Sequence, residues 1–153
     1  MRSLLITVFL LASLGGGFAA DTVTGSVLKM LPFLLDKEGR DSTSPSLFDR
    51  DVYQLFLRQH TREVSGIRFD VQWQATKSPA EKLRIRVEVR GVTRDGSPRL
   101  QTFEAGVSAG TFSRWTKFTM SGQEYKDFGN VVAWRATLWN GDQLIGEQKS
   151  FLW

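Results

Sequence analysis

Apolar and polar residues alternate along much of the C-terminal two-thirds of the chain, with the period of two that marks a half-buried β-strand. Every second residue is apolar in Ile67–Gln74, and the same pattern recurs in Leu83–Arg90. Neighbouring segments of this kind, joined by a polar loop that contains Pro79, predict an antiparallel strand pair with one face in the core. Trp73 belongs to the apolar set of the first segment and is predicted to be a core residue.

Further strands are predicted on both sides of a short helical segment. Val131–Trp139 is apolar on both faces, which predicts a central strand with Trp134 in the core. Asn140-Gly141 directly after it favours a tight hairpin, because both residues tolerate positive φ. The remaining predicted strands are Leu100–Val107, Phe112–Met120 and Gln143–Leu152.

The N-terminal third predicts one strand and one helix. Val27–Leu35 has strand character, and Pro32 restricts that strand to a sheet edge. A helix is expected near residues 46–59, covering one end or edge of the sheets, and a shorter helical turn is expected over Ser121–Phe128. The first helix carries apolar residues at helical spacing, which predict its core-facing side. These residues are Leu47, Phe48, Val52, Leu55 and Phe56.

Together the segments predict an all-β fold, an antiparallel β-sandwich with one N-terminal capping α-helix. The turn from Met120 to Tyr125, the strand Val131–Trp139 and the Asn-Gly hairpin resemble immunoglobulin-like or fibronectin type III-like sandwiches over residues 64–153. That resemblance implies an immunoglobulin-like architecture but no particular role, because such sandwiches host many functions. The whole chain also resembles small exported bacterial proteins, and this implies no activity either.

The N-terminus predicts export. A short basic start is followed by the mainly apolar segment Leu4–Leu14 and then by small residues, the layout of a secretory signal peptide. Gly17 and Ala19 fit the small positions that precede a cleavage site, so residues 1–19 are expected to be removed. Residues 20–153 are then one domain in the periplasm or outside the cell, with no transmembrane span in the mature chain.

Composition argues against most catalytic chemistry. The chain has no cysteine and one histidine, His60, so a catalytic triad and a transition-metal site are disfavoured and neither a cofactor nor a metal is expected. The acidic pair Asp36 and Glu38 is interpreted as solvated turn residues rather than as a glycosidase pair. A net charge of +4 is too small for a dedicated nucleic-acid-binding protein.

Two groups of residues are candidates for ligand binding. Arg84, Arg86 and Arg90 lie on one strand face and could meet phosphate or carboxylate groups, with Arg68 joining them from the neighbouring strand. Acidic residues on the same face, Glu88 and Asp70, would explain these arginines equally as cross-strand ion pairs. Trp115 and Trp139 are candidate sugar-stacking rings, and the alternative is that they add apolar bulk to a core without disulfides.

The sequence therefore predicts an exported, non-catalytic β-sandwich that acts as a binding or structural accessory in the cell envelope. The alternative is a carbohydrate-binding module that uses exposed tryptophans. The expected partner is an envelope protein or a polysaccharide. A contiguous apolar patch on a helix or strand would favour the protein, and exposed tryptophans would favour the polysaccharide.

Overall fold

The computed structural model describes residues 23–76 and 82–153. The predicted signal peptide, residues 1–19, lies outside the described residues together with its cleavage site. Most of the loop that carries Pro79 lies outside them as well.

The described residues contain seven β-strands arranged in two antiparallel sheets. The three-stranded sheet has the spatial order β1 (Gly25–Leu35), β2 (Gly66–Ala75) and β5 (Arg114–Ser121). The four-stranded sheet has the order β4 (Pro98–Val107), β3 (Leu83–Val92), β6 (Asn130–Asn140) and β7 (Gln143–Lys149). The helices are α1 (Leu47–Gln59) and α2 (Gly122–Phe128), and a 3₁₀ turn spans Thr61–Glu63.

The predicted antiparallel β-sandwich is confirmed. The connections from β2 to β3, from β4 to β5 and from β5 to β6 each pass from one sheet to the other, in the Greek-key manner of immunoglobulin-like domains. The strand β1 lies at a sheet edge, β6 lies inside its sheet, and Gly141 turns the last hairpin with φ +57°. The first two placements agree with the sequence predictions. The predicted hairpin is present, but its turn residues are Gly141 and Asp142, and Asn140 is the last residue of β6 without a positive φ.

The predicted pairing of the two alternating strands is wrong. The strand β2 pairs with β1 and β5, whereas β3 pairs with β4 and β6 in the opposite sheet. Both strands alternate because each presents one face to the same core. Alternation identifies the buried face of a strand but not its neighbour, so adjacency in sequence does not establish adjacency in a sheet.

The core lies between the two sheets. Trp73 on β2 is 1% exposed, which confirms it as a core residue. The prediction that Trp134 is a core residue is confirmed only in part. Its ring packs against the core cluster, but the residue is only partly buried. At one end of the sandwich α2 brings Phe128 over Gly91 of β3, and a Cβ at position 91 would stand 2.3 Å from the Phe128 ring. Glycine at position 91 therefore allows Phe128 of α2 to pack directly against β3 and cover this end of the core.

Both predicted helices are present. The first begins after Ser46, whose hydroxyl accepts a hydrogen bond from the Asp49 amide at 3.4 Å. Ser121 precedes α2 as expected, but its side chain makes no capping hydrogen bond. No helix among residues 23–76 and 82–153 is long and apolar enough to cross a bilayer.

Candidate functional site

Helix α1 presents its apolar side to solvent, so the predicted core-facing side is wrong. Phe48 is 75% exposed, Val52 52%, Leu55 53% and Phe56 40%, and Leu47 at the first turn is 66% exposed. We call these five residues the apolar α1 face. Phe48, Val52, Leu55 and Phe56 recur three and four positions apart and are therefore neighbours on the helix surface, and Leu47 adjoins them at the first turn. The buried residues of α1 are instead Gln54 and Leu57.

Gln54 explains why the helix docks in this orientation. Its side-chain oxygen accepts a hydrogen bond from the Leu34 amide at 2.8 Å, and its amide nitrogen donates to the Leu34 carbonyl at 2.9 Å. The same nitrogen donates to the Asp41 carbonyl at 2.9 Å. Because β1 is an edge strand, the Leu34 groups point away from β2 and would otherwise lack a partner under the helix. A buried polar residue thus covers the sheet edge.

A hydrogen-bonded turn after β1 also holds α1, on the side of the helix that carries Gln54. The Asp36 carboxylate accepts hydrogen bonds from the amides of Glu38 and Arg40, from Arg40 Nε and from the Tyr53 hydroxyl, at 2.8–2.9 Å. The Ser65 hydroxyl donates to the Asp36 carbonyl. Asp36 is buried, which corrects its interpretation as a solvated turn residue. Glu38 beside it is exposed, and the two carboxylates therefore have different environments.

Burial alone raises the pKa of Asp36, but the hydrogen bonds from Arg40 and Tyr53 outweigh it, so the pKa lies below its ordinary value. A carboxyl group with a depressed folded-state pKa stabilises the fold above its unfolded pKa of about 4, and this contribution is lost as the pH falls further. We expect Asp36→Asn to lower the free energy of unfolding at pH 7 by about 1–3 kcal/mol. Urea unfolding at a series of pH values from 5 down to 2 measures this loss. The difference in stability between the wild type and Asp36→Asn should become smaller as the pH falls.

Glu38→Gln is the control for this substitution, because the Glu38 side chain is 63% exposed. It should change stability by less than about 0.5 kcal/mol. A deficit of Asp36→Asn that stays constant across the acid range would contradict the role given to the ionised carboxylate.

Arginines and acids fill the space between α1 and the outer face of the three-stranded sheet. The Phe33 ring lies under the guanidinium groups of Arg50 and Arg68, 4.6 and 5.7 Å from its centroid. Arg68 binds Asp70 at 2.6 Å and Asp41 at 3.0 Å. Arg68 and Asp70 therefore do not join Arg84, Arg86 and Arg90, and that prediction is wrong. It assumed that β2 and β3 are neighbours in one sheet.

The structure brings four of the five predicted ligand-binding residues to the outer face of the four-stranded sheet. Arg84 and Arg86 lie 5.7 Å from the centroid of the Trp139 ring, and Arg90 lies further along β3 on the same face. Arg86 Nε also binds the Glu104 carboxylate at 2.6 Å.

A second tryptophan completes this surface, which we call the arginine–tryptophan face. The guanidinium carbon of Arg90 lies 4.0 Å from the Trp153 ring centroid, and that of Arg135 lies 5.2 Å from it. Arg135 also binds Glu88 at 2.7 Å. Each of these two rings thus contacts two arginines, and Arg86 and Arg135 carry carboxylate partners as well. These contacts fit the interpretation of the arginines as partners within the sheet.

Trp115 lies apart from that surface. It is 45% exposed on β5 of the three-stranded sheet, where Lys29 Nζ lies 5.4 Å from its ring centroid. The five predicted residues therefore divide between opposite sheets and do not form one site.

His60 at the end of α1 is exposed, its Nδ1 lies 2.9 Å from the Phe56 carbonyl, and its ring stacks on Phe56 at 4.2 Å. No group of three or more acidic or histidine side chains in the part of the chain that the structure describes is placed to hold a metal ion.

Sequence patterns missed the apolar α1 face because they assign the more apolar side of a helix to the core. The sequence contained only a weak indication that the opposite side of α1 is the buried one. Gln54 and Leu57 stand on the opposite side, and Leu57 is fully buried there. Neither residue alone reverses a helical pattern with five large apolar residues on its other side.

No protein-family model matches the chain, and no curated protein matches it. Among solved structures, it is similar to an immunoglobulin-like protein from Pseudomonas aeruginosa. The two share 19% sequence identity over 56% of this chain and 69% of that chain, with a TM-score of 0.35. A likeness of this size carries no argument, so the assignment to an immunoglobulin-like sandwich rests on the strand order of this chain.

Proposed function

We propose that the protein is an exported, non-catalytic accessory of the cell envelope that docks a protein partner through the apolar α1 face. The observation that carries the proposal is the exposure of Phe48, Val52 and Leu55, each more than half accessible on one helix. Contiguous exposed apolar surface on a folded domain marks an interaction site. Secretion is supported by the signal-peptide layout of residues 1–19.

The charges beside the apolar α1 face favour a protein over a membrane surface. Helices that lie in a membrane interface carry mainly Lys and Arg on their polar side, which attract anionic headgroups. In this helix Asp49 and Asp51 are both exposed beside the apolar residues, with Arg58 further along. The partner surface is therefore apolar at its centre with charges of both signs at its rim.

The double variant Val52→Glu/Leu55→Glu tests this function. It places two carboxylates in the middle of the apolar α1 face without touching the buried residues of the helix. We expect tagged wild-type protein to retain a defined protein from envelope extract of its source organism, and the variant to retain it at least about tenfold less, because charge is buried at the contact. Capture is measured by quantitative mass spectrometry at low and moderate salt.

The matched control is Leu100→Glu/Leu144→Glu, which changes two apolar residues with exposures of 62% and 45% on the four-stranded sheet. It should capture the same protein as the wild type. Identical capture by all three chains would contradict docking through α1.

A carbohydrate-binding role is the second candidate, and the exposed Trp115 ring beside Lys29 is the observation that favours it. Trp139 supports it less, because it is less exposed than Trp115 and has two guanidinium groups, those of Arg84 and Arg86, near its ring. Retention of envelope polysaccharide by the α1 variant, and its loss in Trp115→Ala, would favour this role over protein docking.

A further inference from the structure

We propose that the occupant of the apolar α1 face is a second copy of the same chain, paired through two antiparallel α1 helices. This inference rests on the proposed function and names its partner. A pair of identical helices related by a twofold axis brings the same face of each together. The rim charges of α1 have the arrangement that such a pair needs.

Two oppositely charged residues line one side of the apolar α1 face. Asp51 and Arg58 are seven residues apart, about two helical turns, so they lie on the same side and about 10 Å apart along the axis. Both are exposed, and neither makes an ion pair with another described residue. Their charges are therefore available to a partner.

A second pair lines the other side. Asp49 and His60 are eleven residues apart, about three turns, and both are exposed. The His60 ring uses Nδ1 towards the Phe56 carbonyl, so Nε2 is the ring nitrogen that a partner can contact. An acceptor near the start of α1 and an imidazole nitrogen near its end thus face the same flank.

Both pairs have the same midpoint, between positions 54 and 55. In an antiparallel pair with its twofold axis at that level, Asp51 meets Arg58 of the second copy and Arg58 meets Asp51 in return. The same axis brings Asp49 towards His60 of the second copy. One register therefore engages four charged or polar residues of each helix, in four contacts across the pair.

The apolar residues fit the same register. Leu55 at the axis meets its own counterpart, and Val52 meets Phe56 of the second copy. Phe48 extends the contact towards the far end of the partner helix. A parallel pair in register would instead place Asp51 against Asp51 and Arg58 against Arg58, which is repulsive.

The size of the surface sets the expected affinity. Thirteen helical residues span about 20 Å, so each copy contributes less than the ~800 Å² of a standard interface. We therefore expect a reversible dimer with a dissociation constant in the micromolar range rather than an obligate dimer.

Charge exchange tests the partner and the register together. Sedimentation velocity on chains of residues 20–153, from about 1 to 500 µM, measures the dimer dissociation constant. Asp51→Arg and Arg58→Asp should each weaken dimerisation by about tenfold, since each replaces two attractions by repulsions. An equimolar mixture of these two variants should recover wild-type affinity as a heterodimer. Asp142→Arg and Arg94→Asp, both at exposed turns, are controls that should leave the constant unchanged.

Each outcome separates this inference from the proposed function. A monomer at every concentration would overturn the pairing. So would a dimer whose dissociation constant is the same in Asp51→Arg and Arg58→Asp as in the wild type. If Val52→Glu/Leu55→Glu still abolished capture of a different protein, the docking function would stand with another partner. The third outcome is that the wild type binds phosphatidylglycerol vesicles and that Val52→Glu/Leu55→Glu abolishes this binding. This result would overturn both the self-pairing and the docking of a protein, and would assign the apolar α1 face to a membrane.

Discussion

Trp73→Ala should lower the free energy of unfolding by about 3–5 kcal/mol, a large loss for a single substitution. The ring is 1% exposed, and its Nε1 donates a hydrogen bond to the Thr116 hydroxyl of β5 at 2.9 Å. Truncation leaves a cavity between the sheets and removes the partner of that hydroxyl. Urea unfolding followed by circular dichroism measures the loss.

Trp115→Ala is the matched control, because it removes the same side chain from the outer face of the same sheet. With 45% of its surface exposed, Trp115 should contribute less than about 1 kcal/mol. Similar losses in the two variants would contradict the placement of Trp73 in the shared core.

Gln54→Leu should lower the free energy of unfolding by about 2–4 kcal/mol, although it replaces a polar residue by an apolar one in a buried position. The three hydrogen bonds of Gln54 satisfy the amide and carbonyl of Leu34 and the carbonyl of Asp41. Leucine can satisfy none of them, so the partly buried backbone groups of Leu34 and Asp41 lose their side-chain partner. Chemical unfolding measures the change in stability, and amide hydrogen exchange at Leu34 should accelerate.

The sign of this result distinguishes the observed helix orientation from the one that its apolar pattern predicts. The control Gln59→Leu makes the same change at an exposed position of α1 and should alter stability by less than about 0.5 kcal/mol. If Gln54→Leu were neutral or stabilising, the helix would not be held by its polar side.

The sheets were largely predictable because strand alternation reports burial directly. The inner residues of β3, Leu83, Ile85, Val87 and Val89, are all buried as their alternation indicates. The sheet to which each strand belongs was not predictable from the pattern, since β2 and β3 alternate alike and yet lie in opposite sheets. Sheet assignment depends on connections and twist, which leave little trace in local sequence.

The orientation of α1 was not predictable because hydrogen bonds of two polar side chains, Gln54 and Tyr53, hold that side of the helix to the end of β1 and the turn after it. The edge of β1 needs hydrogen-bond partners at Leu34, and Gln54 supplies them only when its side of the helix faces the sheet. The apolar pattern contains no information about that need. The arginine–tryptophan face was partly predictable, because Arg84, Arg86 and Arg90 share a strand face in any register. The contribution of Trp153 depends on where the chain end folds.

The central claim is that the apolar α1 face binds a protein, and site-specific photocross-linking in the source cells tests it most directly. Benzoylphenylalanine is placed at Leu55, which is 53% exposed, and in a separate chain at Leu100, which is 62% exposed on the four-stranded sheet. Irradiation should give a discrete protein adduct from position 55 and none from position 100. An adduct at twice the mass of the chain would be the proposed self-pairing. No adduct from position 55, or equal diffuse labelling from both positions, would contradict the claim.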